Sequence, residues 1–195
     1  MAIRLTGGQL RSRILAAPKG RAVRPTSGRV REAIFSIIGQ DHSGARVLDL
    51  CAGAGSLGIE AGSRGAERVV FVEQSRDHLR VLRENAKVLD GIAAVDTRQG
   101  DARSVLKLLA RQGAAFDVVF LDPPYGTGLA AEVLGALAVV SGTLLATDAV
   151  IVVEEQWGIE LPTAVGEWEC EGPRKYGDTG IWFYREAAER QETGE

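Results

Sequence analysis

From residue 45 onward the chain repeats one alternation, a short apolar run followed by a stretch with helical spacing. The runs ARVLDL, RVVFVE, FDVVFLD and DAVIVVEE are apolar almost throughout, and AVDTRQGDA alternates Val95, Thr97 and Gln99. Near-continuous apolar strands are buried on both faces, which predicts a parallel sheet with helices on each side. Helices are expected over residues 56 to 64, from a cap at Ser75, to about Arg111, and from about Leu129 to Leu137. In the second of these Leu79, Leu82, Ala86 and Leu89 share one face.

The ends of the chain read differently. In IRLTGGQLRSRIL, Gly7 and Gly8 suit the two-residue turn of a hairpin. Its second strand would turn Leu10, Ser12 and Ile14 one way, with Arg11 and Arg13 the other. A loop rich in Pro, Gly and Arg follows, and then Ser27 as cap of a helix with Val30, Ala33, Ile34, Ile37 and Ile38 on its apolar side. Near the end WECEGPRKYG and GIWFYRE have only a turn between them and should pair antiparallel. The expected organisation is a basic arm over residues 1 to 26, a main domain over 27 to 187, and a disordered polar tail over 188 to 195.

Charge sharpens this division. The net charge is −3, yet residues 1 to 31 hold eight Lys and Arg and no acid. A basic arm on an acidic body suggests a polyanionic partner. Arg11, Arg13, Arg24, Arg29 and Arg31 are the candidates for phosphate contact, with Lys175 near the other end. Cys51 and Cys170 lack motif spacing and read as free thiols of a reducing compartment. The expectation is no metal site, no membrane span, no signal peptide and a cytoplasmic location.

Two strand ends carry the chemistry. LDLCAGAGSLG places Gly53, Gly55 and Gly58 in G-x-G-x-x-G between a strand and a helix, and Glu73 ends the next strand twenty residues after Gly53. This spacing fits the dinucleotide NAD as well as S-adenosylmethionine. Asp49, just before the glycines, suits a ligand bearing an ammonium and a sulfonium better than a pyrophosphate. Asp101, followed by Ala102, stands where an adenine amine could be bound, although Asp49 and Asp101 could each simply cap a helix. The fourth strand stops at Asp122, Pro123, Pro124 and Tyr125. Proline cannot continue a central strand, so this turn is stiff and sits at the carboxyl end, where open α/β sheets bind ligands.

VLDLCAGAGSLGIEA and DPPY resemble two motifs of class I amino-methyltransferases. Together with GGQLRSRILAAPKGRAVRPTSGRVREAIFSII and RKYGDTGI they resemble the RsmD-type enzymes, which methylate N2 of a guanine in 16S ribosomal RNA. The resemblance runs from about residue 3 to 185. Cys51 stands where that family more often has Phe, and Ala54 where Ser is common. It implies an α/β, Rossmann-like class I methyltransferase fold. That fold has a mostly parallel seven-stranded sheet, an antiparallel C-terminal strand pair, helices on both faces and a small N-terminal β-hairpin arm. It also implies S-adenosylmethionine on Asp49, Gly53, Gly55, Glu73, Asp101 and Ala102. The target base would flip into a site formed by Asp122, Pro123 and Tyr125, on 16S RNA within the small ribosomal subunit or its assembly intermediate, with a monomeric enzyme. A DNA adenine-N6 methyltransferase uses the same DPPY geometry, and an NAD oxidoreductase would use the glycines alone; both remain open on the residues.

Overall fold

The computed structural model of the protein describes residues 2–18 and 26–187. Arg24 and the tail from residue 188 therefore lie outside the described residues. In chain order the elements are β1 (Ile3–Arg4), β2 (Ile14–Leu15), α1 (Gly28–Ile38), β3 (Arg46–Leu50), α2 (Ser56–Ser63), β4 (Arg68–Glu73) and α3 (Arg76–Ala86). A 3-10 turn, Lys87–Leu89, leads to β5 (Ala94–Gln99), α4 (Ala102–Arg111), β6 (Phe116–Leu121), α5 (Leu129–Leu144) and β7 (Leu145–Gln156). The chain closes with β8 (Ala164–Val165), β9 (Trp168–Tyr176) and β10 (Thr179–Glu186).

The main sheet runs β5-β4-β3-β6-β7-β10-β9-β8. Its first five strands are parallel, and β10 lies antiparallel between β7 and β9. Among the described residues the count is eight where seven were expected, because the two residues of β8 add to the outer edge of β9 through Ala164↔Glu169 and Val165↔Trp168. The chain steps outward from β3 to β5 and returns to β6 on the other side of β3. The β3–β6 boundary is thus a topological switch point, the place where open sheets leave a crevice.

Strand parity decides what faces the crevice. Val47, Val69, Phe71, Val118, Phe120, Val150 and Val152 pack in one core with Ile34, Phe35, Leu57 and Leu82. Their alternates Leu48, Leu50, Val70, Val72, Val119, Leu121, Ile151 and Val153 pack in the other, with Leu106, Leu109, Val133 and Leu137. By the two-residue period of a strand, Asp49, Glu73, Asp122 and Glu154 all belong to the α1–α2–α3 side.

The N-terminal hairpin departs from expectation. Ile3 pairs with Leu15 and Arg4 with Ile14, so Gly7-Gly8 is not the turn. Those glycines admit a close approach to the end of α2. Gln9 N donates to Ser63 O at 2.7 Å, Ser63 Oγ donates to Gly7 O at 2.8 Å, and a Cβ on Gly8 would lie 2.0 Å from Ser63 O. Arg11, Ser12, Arg13 and Ile14 are all exposed, so the expected alternation is absent. Ile3, Leu5 and Leu15 are buried in the same core as Phe35 and Phe71.

Helix α1 begins as expected, with Ser27 Oγ accepting from Val30 N at 3.2 Å. Its innermost residues are Val30, Arg31, Ile34 and Phe35, a stripe turned toward Arg31. Arg31 is therefore not a phosphate contact. It is 1% exposed, and its Nε donates to Glu60 Oε2 at 3.1 Å. Its buried partner lies 29 residues away, so no local signal separates it from the phosphate-contact candidates beside it. Helix α5 runs to Leu144, beyond the expected end at Leu137, because residues 138 to 144 keep a helical stripe with Ser141 and Leu144 buried.

Candidate active site

A cavity of about 640 Å³ opens at the carboxyl ends of β3, β4, β5 and β6. Four loops build it: residues 51 to 56, Glu73–Ser75, residues 100 to 102 and residues 122 to 125, with Thr26 and Pro18 closing one side. The register pair Leu50↔Leu121 puts the ends of β3 and β6 side by side. The glycine loop and the DPPY turn are consequently neighbours, as one ligand pair bridging them requires.

The acids of this region have different jobs. Asp49 is 1% exposed and does not line the cavity. Parity turns it under α2, where Oδ2 accepts from Gly58 N at 2.9 Å. The expectation of direct contact with a cationic ligand is corrected on that ground. Burial, followed by the nearby Glu73, pushes its carboxyl up to about 7. Glu73 does line the cavity, and it also shapes the loop. Its Oε2 accepts from Gly53 N at 2.8 Å and its Oε1 from Ser75 N at 2.7 Å.

The two motif glycines separate as well. At Gly53, φ is 55° and an added Cβ would meet nothing within 4 Å, so its free side is the cavity. At Gly55, φ is 81° and a Cβ would sit 2.3 Å from Leu82 Cδ1. Gly55 caps α2 against the core and does not line the cavity, so its place in a cofactor set is corrected to a packing role. Between the strand and these glycines Cys51 adopts φ 58°, a conformation uncommon for a side-chain-bearing residue.

Asp101 caps α4, accepting from Arg103 N at 2.9 Å, and pairs with the Arg103 guanidinium, Nη2 to Oδ2 at 2.6 Å. The Arg103 hydrogen bond holds its carboxyl below the ordinary range. Asp101 and Ala102, the first residue of α4, both line the cavity.

At the end of β6, Asp122, Pro123, Pro124 and Tyr125 form one wall. Thr26 Oγ1 donates to Asp122 Oδ2 at 2.8 Å. Burial, then Glu154, raises the Asp122 carboxyl well above the usual carboxylate range, with Thr26 pulling the other way. Tyr125 is half-buried, and its hydroxyl donates to Glu154 Oε1 at 2.5 Å and meets Thr179 Oγ1 at 3.0 Å. Glu155 Oε1 accepts from Gly126 N at 2.9 Å, fixing the turn from β7. Thr26, Glu154 and Thr179 went unread in the sequence. Each is joined to the motif over 29 to 96 residues and carries no local signal. Gln74 and Ser75, also on the wall, follow Glu73 directly and were within reach of the strand-end argument.

Electrostatically the cavity is acidic. Glu73, Asp101 and Asp122 line it, and among the described residues no Lys or Arg does. The Cys51 thiol reports the same field, pushed up to about 12 by burial and then by Glu73 and Asp122. Among the described residues no group of His, Cys, Asp and Glu is arranged to hold a metal, and no helix is long and apolar enough to cross a membrane. Arg11, Arg13, Arg29 and Lys175 are exposed, with Lys175 Nζ 5.2 Å above the Trp157 ring.

Comparison with known proteins decides the family. A family model described as "Conserved hypothetical protein 95" matches residues 3–185. Ribosomal RNA small subunit methyltransferase D of Escherichia coli is 34% identical over 191 residues, 96% of this chain and 91% of that one. The chain belongs to the RsmD family. The enzyme of the same name from Haemophilus influenzae is 33% identical over 94% of this chain and 92% of its own. Among solved structures, the yhhF protein of Escherichia coli superposes with a TM-score of 0.75 at 32% identity, covering 96% of this chain and 99% of that one. Protein TTHA0928 of Thermus thermophilus gives 0.76 at 26% identity, over 93% and 98%. The fold is thus the Rossmann-like methyltransferase fold that the family resemblance implied, built on the parallel sheet that the strand alternation predicted.

Proposed function

We propose that the protein transfers a methyl group from S-adenosylmethionine to the exocyclic N2 amine of a guanine in 16S ribosomal RNA. The observation that carries this reading is the acidic lining of the cavity, where Glu73, Asp101 and Asp122 meet no Lys or Arg among the described residues and Asp122 sits beside the glycine loop. A pyrophosphate is repelled there, whereas a ligand with an ammonium and a sulfonium is attracted. The names borne by the RsmD relatives support the RNA substrate.

The residues present fit that donor. Gly53 gives its backbone a close approach, Glu73 has lone pairs left for ribose hydroxyls, and Asp101 and Ala102 stand where the adenine would lie. When bound, S-adenosylmethionine supplies an electrophilic methyl group on a positively charged sulfur. The chain's own part is orientation. Asp122 and the Pro123 carbonyl oxygen accept hydrogen bonds from the amine, localising a lone pair that the purine ring otherwise withdraws. Asp122 is placed to take the proton that leaves as the N–C bond forms. Tyr125 stacks on the guanine, which must be extruded from its neighbours to reach a recessed wall. Arg11, Arg13 and Arg29, with Lys175, hold phosphates outside. The enzyme works as a monomer on the small subunit or its assembly intermediate.

The test is to incubate the protein with labelled donor and either bare 16S RNA or small subunits from cells lacking the modification, then to identify the labelled nucleoside. N2-methylguanosine is the expected product. Transfer to adenine N6 when DNA is offered in place of RNA, or preferential calorimetric binding of NADH over S-adenosylmethionine, overturns the reading.

A further inference from the structure

We propose that Thr26 is a positioning residue for the transfer: its hydroxyl, anchored through the buried Arg31–Glu60 pair, holds Oδ2 of Asp122 and leaves Oδ1 for the incoming amine. The inference rests on the reading of Asp122 given above.

Thr26 precedes α1, far in sequence from the DPPY turn, yet it is 2% exposed and lines the cavity. Its two polar ends point to different partners. The hydroxyl donates to Asp122 Oδ2 at 2.8 Å, and the carbonyl accepts from Arg31 Nη1 at 2.7 Å. Arg31 also donates to Glu60 Oε2, at 3.1 Å, and to Arg4 O, at 2.5 Å. Glu60 is wholly buried on α2, and Arg64 Nη2 reaches its Oε1 at 2.7 Å. A buried ion pair adds little net stability, and breaking it is costly, so its partners stay together. Here it ties the start of α1 to α2, and Thr26 passes that fixity to the end of β6.

The hydroxyl has one proton to give, and giving it to Oδ2 favours the ionised carboxylate. The other groups facing Asp122 act against ionisation. Glu154 and Glu155 approach from β7 and Asp49 from β3, all acids, and burial adds to them. The Tyr125 phenol, which follows β6, is spent on Glu154. Among the described residues the Thr26 bond is what opposes this set. An Asp122 that kept its proton would lose acceptor capacity toward the amine.

The experiment compares Thr26→Val, which keeps the shape and removes the hydroxyl, with Thr26→Ser, which keeps the hydroxyl. Thr26→Ala is measured beside them, so that a folding failure of the valine variant, seen by thermal melting, leaves the comparison intact. Two readouts are taken: the pH dependence of methyl transfer, and the titration of the Asp122 side-chain carbon by NMR in the free protein. Without the hydroxyl, the carboxyl midpoint and the acid limb of the rate profile move up by about one pH unit, and transfer near neutral pH falls about ten-fold. The KM for the donor holds, and serine restores all three. An unshifted carboxyl in the valine and alanine variants, or a serine variant as impaired as valine, overturns the inference. If even the unaltered protein methylates no RNA, the proposed function fails, and the NMR titration alone decides the role of Thr26.

Discussion

The Tyr125 phenol and the Glu154 carboxylate lie 2.5 Å apart, the hydroxyl donating to Oε1, so the aromatic ring of the DPPY turn is suspended from the neighbouring strand β7. Thr179, the first residue of β10, meets the same hydroxyl at 3.0 Å. The ring is therefore placed by two strands besides its own, which suits a stacking surface that must hold still while a base docks.

This arrangement separates ring from hydroxyl. Tyr125→Phe keeps the stacking face and loses one hydrogen bond, for an expected fall in kcat/KM of about two- to ten-fold. Tyr125→Ala loses the face, and base–aromatic stacking on the order of 1–3 kcal/mol implies a fall approaching about a hundred-fold. Steady-state transfer with saturating donor checks both. Equal losses in the two variants would mean that the ring is not a stacking platform.

The two motif glycines should fail in different ways. Gly55→Ala drives a methyl into the buried Leu82 and costs about 1–3 kcal/mol of stability, seen as a lower melting temperature. Gly53→Ala points its methyl into the cavity, so the main loss is donor affinity by calorimetry, with less change in melting. The reverse pattern would contradict the assignment of Gly53 to the ligand and Gly55 to the core.

Arginine substitutions divide along the same line of burial. Arg11→Gln and Arg13→Gln should leave the fold alone and each reduce the slope of log binding against log salt by about one, the mark of a lost phosphate contact. Arg31→Met should not behave so. It strips Glu60 of one of its two cations and is expected to cost about 3–5 kcal/mol in urea unfolding. An unchanged salt slope for Arg11 and Arg13 would remove them from the RNA face.

Arg31 also marks where the sequence stops being legible. Strands such as RVVFVE are readable because a doubly buried strand needs apolar residues on both faces, and Glu73 and Asp122 are readable because they end such strands. Strand parity would also have told that Asp49, Glu73, Asp122 and Glu154 share one side. What a linear reading cannot supply is the partner brought from a distance: Glu60 for Arg31, Thr26 for Asp122, Glu154 for Tyr125. Gly7-Gly8 misled for the same reason. A turn signal and a close approach to Ser63 both require glycine, and only the tertiary contact tells them apart.

The raised Asp49 carboxyl makes a prediction about stability. Folding lifts it from 3.8 to about 7, chiefly by burial. A carboxyl raised on folding supports the fold while protonated; that support is whole below about pH 3.8 and lost as pH rises through about 7. Asp49→Asn keeps an oxygen for the Gly58 amide without the charge. It should therefore gain a few kcal/mol over the unaltered protein at pH 8 and nothing at pH 4, by urea unfolding. A loss at pH 8 would mean that the buried charge is compensated in the fold.

The central claim concerns what the corner after β6 does with an amine, and one variant reaches it directly. Asp122→Ala, assayed in single turnover with bound S-adenosylmethionine and unmodified small subunits, should bind the donor as the unaltered protein does. Methyl transfer should fall by about a hundred-fold or more. Transfer at the unaltered rate, with donor binding intact, would contradict the account.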